Sequence, residues 1–463
     1  MKKPDIQKEF NDTGLCIPDL HYMVDISNKL EIISSFIKKG KYFTINRPRQ
    51  FGKTTTLSLL AKQINQQNNY LALKISFEEI DTDTYQNQEK FIYIVLDMLI
   101  REFEYLNLPE LSEFIEHQIN SIKHMPAMSR FITKLVCNML SGKSLVLMID
   151  EVDKSSNNQL FLDFLAMLRN KYLHRNEGKD HTFHSVILAG VHDVKTLKAK
   201  IRDYDDKKYN SPWNIAIDFT VDMSFYPDEI ETMLQEYAVK KNIQLNIPDI
   251  AKKIYYYTSG YPYLVSKLCK FIDEQIVFLR ENKNWLLKDV DEAFKIIVDE
   301  AYTTTIFDSL IKNLENNPAL YTAVLNMVIN GKTMTFNISN PVINLGHLYG
   351  ILSKTSSGQC CIHNRIFEQR IYAYMMSKLD LTKYEDIEAL ASPEFFHNDI
   401  LDLKLVLQRF QAFMKEHYSH KDQKFLEREG RLLFLSFLRP IINSKGFEFK
   451  EPNVSDERRM ELN

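Results

Sequence analysis

The 463-residue sequence predicts an α/β fold, a parallel sheet with helices on both faces. Three observations carry that prediction. Short, wholly apolar runs recur, as strands buried on both sides require; helical patterns alternate with them; and small or acidic residues stand directly after the runs, where open α/β sheets place their ligands.

The first element reads as a helix. Val24-Asp25 precedes Leu30, Ile32, Ile33, Phe36 and Ile37, whose spacing makes one apolar face, and Lys38-Lys39-Gly40-Lys41 stops it. Tyr42 to Ile45 follows as a strand, then Arg47-Pro48-Arg49-Gln50-Phe51-Gly52-Lys53-Thr54-Thr55, then a helical run from Leu57 to Ile64. Gly-Lys-Thr therefore falls at a strand-to-helix turn. Backbone N–H groups of such a turn wrap phosphates, Lys53 reaches the β and γ oxygens, and the Thr54 hydroxyl holds Mg²⁺. The nucleotide-binding set read from this loop is Arg49, Gln50, Phe51, Gly52, Lys53, Thr54 and Thr55, with Arg47 standing where the pattern G-x-x-x-x-G-K-[ST] has its first glycine.

Tyr70 to Phe77 reads as the next strand and Phe91 to Phe103 as a helix. Ser144 to Ile149 is a second wholly apolar strand, and it delivers Asp150-Glu151-Val152-Asp153 at its C-terminal end. Asp150 suits the hydration shell of Mg²⁺ and Glu151 suits the polarisation of an attacking water, the two tasks that phosphoryl transfer to water sets. The same tetrapeptide also reads as the acidic opening turn of a helix. A helix from Asn158 to about Tyr172 carries Leu160, Phe161, Phe164, Leu165 and Leu168. Ser185 to Gly190 is a further buried strand, and Ile215 to Val221 is expected as a fifth.

With 44% hydrophobic residues the chain has material for several cores, about three by the usual size of a domain. No run reaches the roughly 20 apolar residues of a membrane span. Met1-Lys2-Lys3-Pro4-Asp5-Ile6 lacks an apolar signal segment, so a cytoplasmic location is expected. Cys16, Cys137, Cys269, Cys360 and Cys361 lack C-x-x-C spacing, which argues against zinc and a disulfide framework and for core thiols. A net charge of −3 says nothing in favour of wholesale coating of nucleic acid, and any such contact would have to be local.

Tyr226-Pro227-Asp228-Glu229 opens a helical stretch that reads as a lid over residues 226–305, with helices at Ile250 to Tyr257, Tyr263 to Leu279 and Val290 to Asp299. Within it Thr258-Ser259-Gly260-Tyr261-Pro262-Tyr263 is a tight turn, read from spacing as ordinary Gly/Pro punctuation. Residues 306–380 read as helix, helix, hairpin and helix, which suggests a winged helix; Asn330-Gly331 ends the helix begun at Leu320, and Ile366 to Leu379 forms the last helix. The segment that would read DNA, Pro341 to Tyr349, carries no Lys or Arg, so a DNA partner is only weakly supported. Residues 381–463 read as helices at Asp399 to Tyr418 and Lys424 to Leu438, a short strand within Arg439 to Pro452, and a closing Asp456 to Met460.

Taken in order, RPRQFGKT, LVLMIDEVD, SVILAGVHD and the Gly-Tyr-Pro turn resemble the AAA-like and STAND-type P-loop ATPases of prokaryotes, over residues 12–300. In that family the Arg-Pro-Arg-x-Phe-Gly-Lys-Thr loop recurs without its first glycine. The resemblance implies ATP and Mg²⁺ as cofactors, with Lys53, Glu151 and His192 in catalysis, Thr54 and Asp150 at the metal, and Pro262 packing near the base. His192 or Asp193 takes the position that feels the γ-phosphate, Asp193 reading equally as a helix cap. Arg169, Arg175 and Arg202 are candidates for an arginine reaching into the site, each also readable as a surface residue. The winged helix of such proteins packs on the nucleotide domain and senses its state.

The last segment is similar to the beginning of the PD-(D/E)XK nuclease-like domain that follows many such ATPases. Glu427 or Glu429 matches its first-helix carboxylate, but the strands bearing the remaining metal ligands have no counterpart before Asn463, so no nuclease activity is expected of this chain. An apolar flank at Leu432 to Phe437 is then expected to be covered by a protein partner or by self-association. The implied plan is a P-loop ATPase domain at 12–225, a lid at 226–305, a winged helix at 306–380 and the nuclease-like start at 381–463. The implied function is a nucleotide-gated switch that hydrolyses ATP, with a defence or toxin-like role suggested by the family. A winged-helix DNA-binding regulator, with nucleotide as a structural or signalling ligand, is the alternative.

Overall fold

Apolar runs of five to seven residues pair side by side in the computed structural model, which describes residues 7–138, 142–155, 158–191, 213–217, 219–299, 302, 304–328, 332–378, 396–397, 400–417 and 434. In chain order the elements are α1 (Ser27–Lys38), β1 (Tyr42–Asn46), α2 (Lys53–Asn65), β2 (Tyr70–Ser76), α3 (Gln88–Tyr105), α4 (Pro109–Ile119), α5 (Met125–Asn138), β3 (Ser144–Asp150), α6 (Gln159–Asn176) and β4 (Ser185–Gly190). The strands form one parallel sheet in the order β1-β4-β3-β2. Every residue of β4 and all but the first of β3 are buried, which explains their lack of polar alternation. Register places Asn46 beside Gly190 and Ser76 beside Asp150, so all four strands end along one edge. Because β4 is inserted between β1 and β3, the loop after β1 and the acids after β3 face each other across the end of a third strand.

Several expectations need correction. Residues 215–221 do not form a fifth strand in their described part. Trp213 to Ala216 is a turn closed by Ala216 N–H on the Trp213 carbonyl, and Ile217 makes a single parallel bridge to Phe43 on the free edge of β1. Ile32 is about half exposed, so the buried face of α1 is Leu30, Ile33 and Ile37. Helices α4 and α5 were not read from the sequence at all. They bury Leu111, Ile115, Ile119, Met128, Phe131, Ile132 and Leu135 in the core beside α3. Of the five cysteines only Cys269 and Cys360 are buried, and all five are free.

The end of the sheet opposite the ligand edge is held by side chains. Arg175 donates to the carbonyls of Gly40, Phe183 and His184 and stacks on Tyr42 and Tyr172. That places it at the N-terminal ends of β1 and β4, so it is no candidate for the phosphate edge. Arg169 binds the Asn214 side chain at the surface. The buried Lys171 ammonium joins α5 to α6 through Ser129 O, Thr133 Oγ1 and Asp180 Oδ2.

The chain divides into two compact units, residues 1–294 and 295–463. The first unit continues past the sheet with α7 (Pro227–Lys241), α8 (Ile247–Thr258) and α9 (Pro262–Phe271), which runs into a π turn at Ile272–Ile276 rather than reaching Leu279 as an α-helix; α10 (Leu287–Val298) crosses the division. The N-terminal segment clamps these helices. Asp12 pairs with Lys267 and Lys270, Ser266 Oγ donates to Asn11 O, and Lys29 pairs with Glu229. Phe10, Tyr22, Tyr237 and Trp285 make an aromatic cluster behind them, with ring centroids 4.9 to 5.9 Å apart.

The second unit packs α11 (Thr305–Glu315), α12 (Pro318–Val328) and α13 (Pro341–Leu348), then a hairpin of β5 (Leu352–Lys354) and β6 (Cys360–Ile362), then α14 (Arg365–Lys378). Thr335 bridges Gln359 and adds a third extended segment beside the hairpin. Asn340 caps α13 by accepting from Val342 and Ile343 N–H. Further on, β7 (Phe396–His397) and β8 (Ile400–Leu401) form a second hairpin, and α15 (Leu403–His417) follows. Ile400 and Leu401 thus pair as strand where a helix from Asp399 was expected. The readings at Asn330-Gly331, Lys424 to Leu438 with Glu427 and Glu429, 439–452 and 456–460 lie outside the described residues, as does Leu432 to Phe437 apart from Phe434.

Candidate functional site

The loop between β1 and α2 is built around two residues with positive φ, Gln50 (φ 55°) and Gly52 (φ 76°), the latter standing immediately before the first helical residue, Lys53. Left-handed residues alternating with right-handed ones turn successive N–H groups toward one side, a geometry that cups anions, and the N-terminus of α2 adds its own donors. Gln50 pays a conformational penalty of roughly 1 kcal/mol or more for this, since a side chain disfavours that region.

Lys53 is 5% exposed and its ammonium donates to the carbonyls of Arg47 (3.0 Å) and Pro48 (2.9 Å). Burial pulls its pKa below the ordinary lysine value, against the opposing charges of Glu151, Asp153 and Asp150; Arg49 adds to the lowering. Across the edge, Asp150 is buried and its Oδ1 accepts the Glu151 N–H at 3.0 Å. Glu151 itself takes φ 53°, a second strained backbone at the same edge. Burial pushes its carboxyl above the ordinary range, Lys53 opposes, and Asp150, Asp153 and Glu78 reinforce the rise. Asp153 has a different task. Both its oxygens accept the Val191 N–H, at 2.8 and 2.7 Å, so it ties the end of β3 to the exit of β4.

Arg47 explains how the loop manages without its first glycine. Its side chain turns away along the sheet edge, donating to Asn46 O (2.7 Å) and Val221 O (2.5 Å) and lying over the Phe219 ring at 5.3 Å, while its N–H continues the β1–β4 pairing to Gly190 O. Its φ is not among the positive values, so a side chain costs nothing there. Arg47→Gly, which restores the usual pattern, is therefore expected to lose about 2 kcal/mol of stability through those contacts and added backbone freedom, read as a lower denaturation midpoint.

The turn at Thr258 to Tyr263 is more than punctuation. Tyr261 is buried, its hydroxyl donates to the Arg49 carbonyl, and its ring meets Phe51 edge-on at 4.7 Å. The next residue, Pro262, faces a cavity of about 140 Å³ alongside the loop. Gln50, Phe51, Gly52, Thr55 and Thr56 form one wall, Asn11 to Gly14 with Cys16 and Tyr22 to Val24 a second, and Pro262, Tyr263 and Ser266 a third. Thr55 Oγ1 fixes the second wall by accepting the Cys16 N–H at 3.2 Å. The N-terminal wall was invisible in the sequence, because residues 11–24 have no periodicity and take their positions from distant contacts, Cys16 with Thr55 and Asn11 and Asp12 with Ser266, Lys267 and Lys270. Tyr261 had a visible signal, an aromatic residue between Gly and Pro, but nothing local said what it would touch.

The structure thus brings Arg49, Gln50, Phe51, Gly52, Lys53, Thr54 and Thr55 together with Asp150 and Glu151 along one edge, and sets Pro262 against the same loop. His192, Asp193 and Arg202 lie outside the described residues. Among the described residues no group of three His, Cys, Asp or Glu side chains is placed to hold a metal unaided. The oxygen donors present, Thr54 Oγ1 and the Asp150 carboxylate, fit a hard cation that shares its shell with water and phosphate, as Mg²⁺ does. No described helix is long and apolar enough to cross a membrane.

Comparison with known proteins gives the family and the fold. The sequence profile of a family described as AAA-like domain matches residues 20–369. A Walker-type ATPase of Pyrococcus abyssi superposes with a TM-score of 0.50 at 10% identity, covering 78% of this chain and 99% of its own. The ORC2 protein of Aeropyrum pernix, solved with ADPNP and ADP, gives 0.42 at 13% identity over 76% of this chain and 94% of its own. No curated protein matches the sequence.

Proposed function

Since the chain belongs to the AAA-like domain family, with a parallel P-loop sheet at its centre, we propose that it binds ATP with Mg²⁺ at the edge between β1 and β3 and hydrolyses it as a nucleotide-gated switch. The observation that carries this reading is the pairing, across the end of β4, of an anion-cupping loop that ends in a buried lysine with the buried Asp150 and the strained, half-buried Glu151 beside it. The loop N–H groups and Lys53 hold the phosphates, and the base lies in the cavity beside Pro262. Thr54 and Asp150 hold Mg²⁺, which when bound neutralises charge developing on the phosphate oxygens. Glu151 orients and deprotonates the attacking water, and the residue at His192 senses the γ-phosphate.

The domain plan of the sequence then acquires roles. Residues 226–305 act as the lid, and the helices and hairpin of 306–380 as a winged helix that responds to nucleotide state, in the manner of STAND-type proteins. A DNA-binding regulator is the weaker alternative, since the capped helix α13 lacks Lys and Arg. Residues 381–463 remain the proposed contact for a protein partner.

Glu151→Gln tests the reading. Equilibrium titration with ATP and Mg²⁺ is expected to show binding within a few-fold of wild type, while phosphate release falls on the order of 100-fold or more. The acid limb of the wild-type pH–rate profile should lie above the ordinary carboxylate range. Only ionised Glu151 can take a proton, and its raised pKa moves that requirement to higher pH. Unchanged phosphate release in the variant would remove Glu151 from the chemistry.

A further inference from the structure

The turn between α8 and α9 places two successive residues on two different parts of the site. Pro262 lines the cavity. Tyr261, one position earlier, is buried beneath the phosphate loop, with its hydroxyl on Arg49 O and its ring against Phe51. We infer that Tyr261 is a positioning residue for the nucleotide's phosphates, pre-orienting the loop and linking its shape to the position of the helices α7 to α9. The inference rests on the nucleotide reading above.

The physical basis is the planarity of the peptide. In a trans peptide the carbonyl of one residue and the N–H of the next point in opposite directions, and the partial double bond between them keeps them so. A hydroxyl that holds the Arg49 carbonyl therefore fixes the direction of the Gln50 N–H on the other side of the same plane. Gln50 is the residue in the left-handed region, the one whose backbone would relax first if unsupported. The Phe51 ring, 3% exposed and edge-on to Tyr261, blocks the rotation from the following residue. Two contacts from a single side chain thus hold the central part of the loop in the cupped conformation before any anion arrives.

The turn is itself tied to the segment that precedes α7. Ser259 (φ 47°) and Gly260 (φ 71°) are both left-handed, and the Phe225 N–H donates to Gly260 O at 2.8 Å. Phe225 follows the segment whose Val221 carbonyl receives Arg47. The loop is consequently gripped near its start through Arg47 and at its middle through Tyr261. A displacement of the α8–α9 turn would release the Arg49 carbonyl and loosen the cradle, and by reciprocity an anion that tightens the cradle draws the turn down.

Tyr261→Phe keeps the ring and removes only the hydroxyl. Titrations of the full chain with ATP and ADP, each with Mg²⁺, are expected to show affinity about five- to ten-fold weaker than wild type, the effect of one lost buried hydrogen bond that orders a binding loop. Adenosine, which has the base and sugar but no phosphate, should compete equally well against both proteins, and the melting temperature should stay within about 2 °C. The pattern separates positioning of the phosphates from general support. An equal loss for adenosine, a fall in melting temperature that accounts for the loss, or ATP affinity unchanged within two-fold would each overturn the inference. Wild-type protein that binds no ATP would instead overturn the nucleotide reading on which it stands.

Discussion

Lys53→Ala is expected to weaken ATP binding by at least about 100-fold while leaving the fold intact. The side chain is already desolvated, so little hydration is lost when an anion meets it, and a charge-assisted hydrogen bond to phosphate is worth roughly 2–3 kcal/mol. Removing it also leaves Glu151, Asp153 and Asp150 facing the phosphates without their nearest counter-charge. Both effects act in the same direction. Equilibrium titration with a fluorescent ATP analogue measures the loss, with circular dichroism as the check on folding; wild-type affinity in the variant would place the phosphates elsewhere. Burial lowers the Lys53 pKa, so the wild-type affinity should begin to fall on the alkaline side at a lower pH than an exposed lysine would give.

The second large effect concerns stability. Gly260→Ala is expected to cost about 3–5 kcal/mol. A Cβ at this position would lie 2.1 Å from the Phe225 carbonyl oxygen and 2.9 Å from its backbone carbon and nitrogen, all backbone atoms with nowhere to yield. The φ of 71° adds the ordinary penalty of a side chain in the left-handed region. Gly178→Ala separates the two contributions. It has φ 73° but nothing within 4 Å of the new atom, so only the conformational part, about 1 kcal/mol, should be lost. Chemical denaturation of both variants measures the difference, and equal losses would mean that the Phe225 contact gives way without cost.

The parallel sheet was legible because its strands are buried on both faces. Four apolar runs could be bounded to within a residue, and β1, β2, β3 and β4 lie where the runs are. Ile215 to Val221 is similarly apolar, but among its described residues only Ile217 pairs, as a single bridge on the edge of β1. Composition marks a segment as able to pair and says nothing about whether a neighbour offers enough length. Helices α4 and α5 were overlooked because they follow one another closely and carry polar residues on a wide outer face. At the candidate site, the turn after β1 and the acids after β3 were legible as neighbours on one sheet edge, because both stand directly after buried apolar runs. The supports were not. Tyr261 meets Arg49 across 212 residues, and Ser266 meets Asn11 across 255. Such pairs leave no periodic trace in a sequence, and Arg47 looked like a departure until its partner Val221 was known.

The strand order also bears on how the molecule comes to be built. β2 and β3 pair with each other, β4 joins β3, and β1, first in the chain, pairs among the described strands with β4, the last of them, Tyr42 set against Val186. Closing so long a loop is entropically slow, and topologies dominated by distant parallel pairs fold slowly. The strand that leads into the Gly52-Lys53 turn is therefore expected to take its place after the rest of the sheet. Amides of β1 should gain protection from hydrogen exchange after those of β2 and β3 during refolding, and a chain released from the ribosome early would have its acids in position before its cradle.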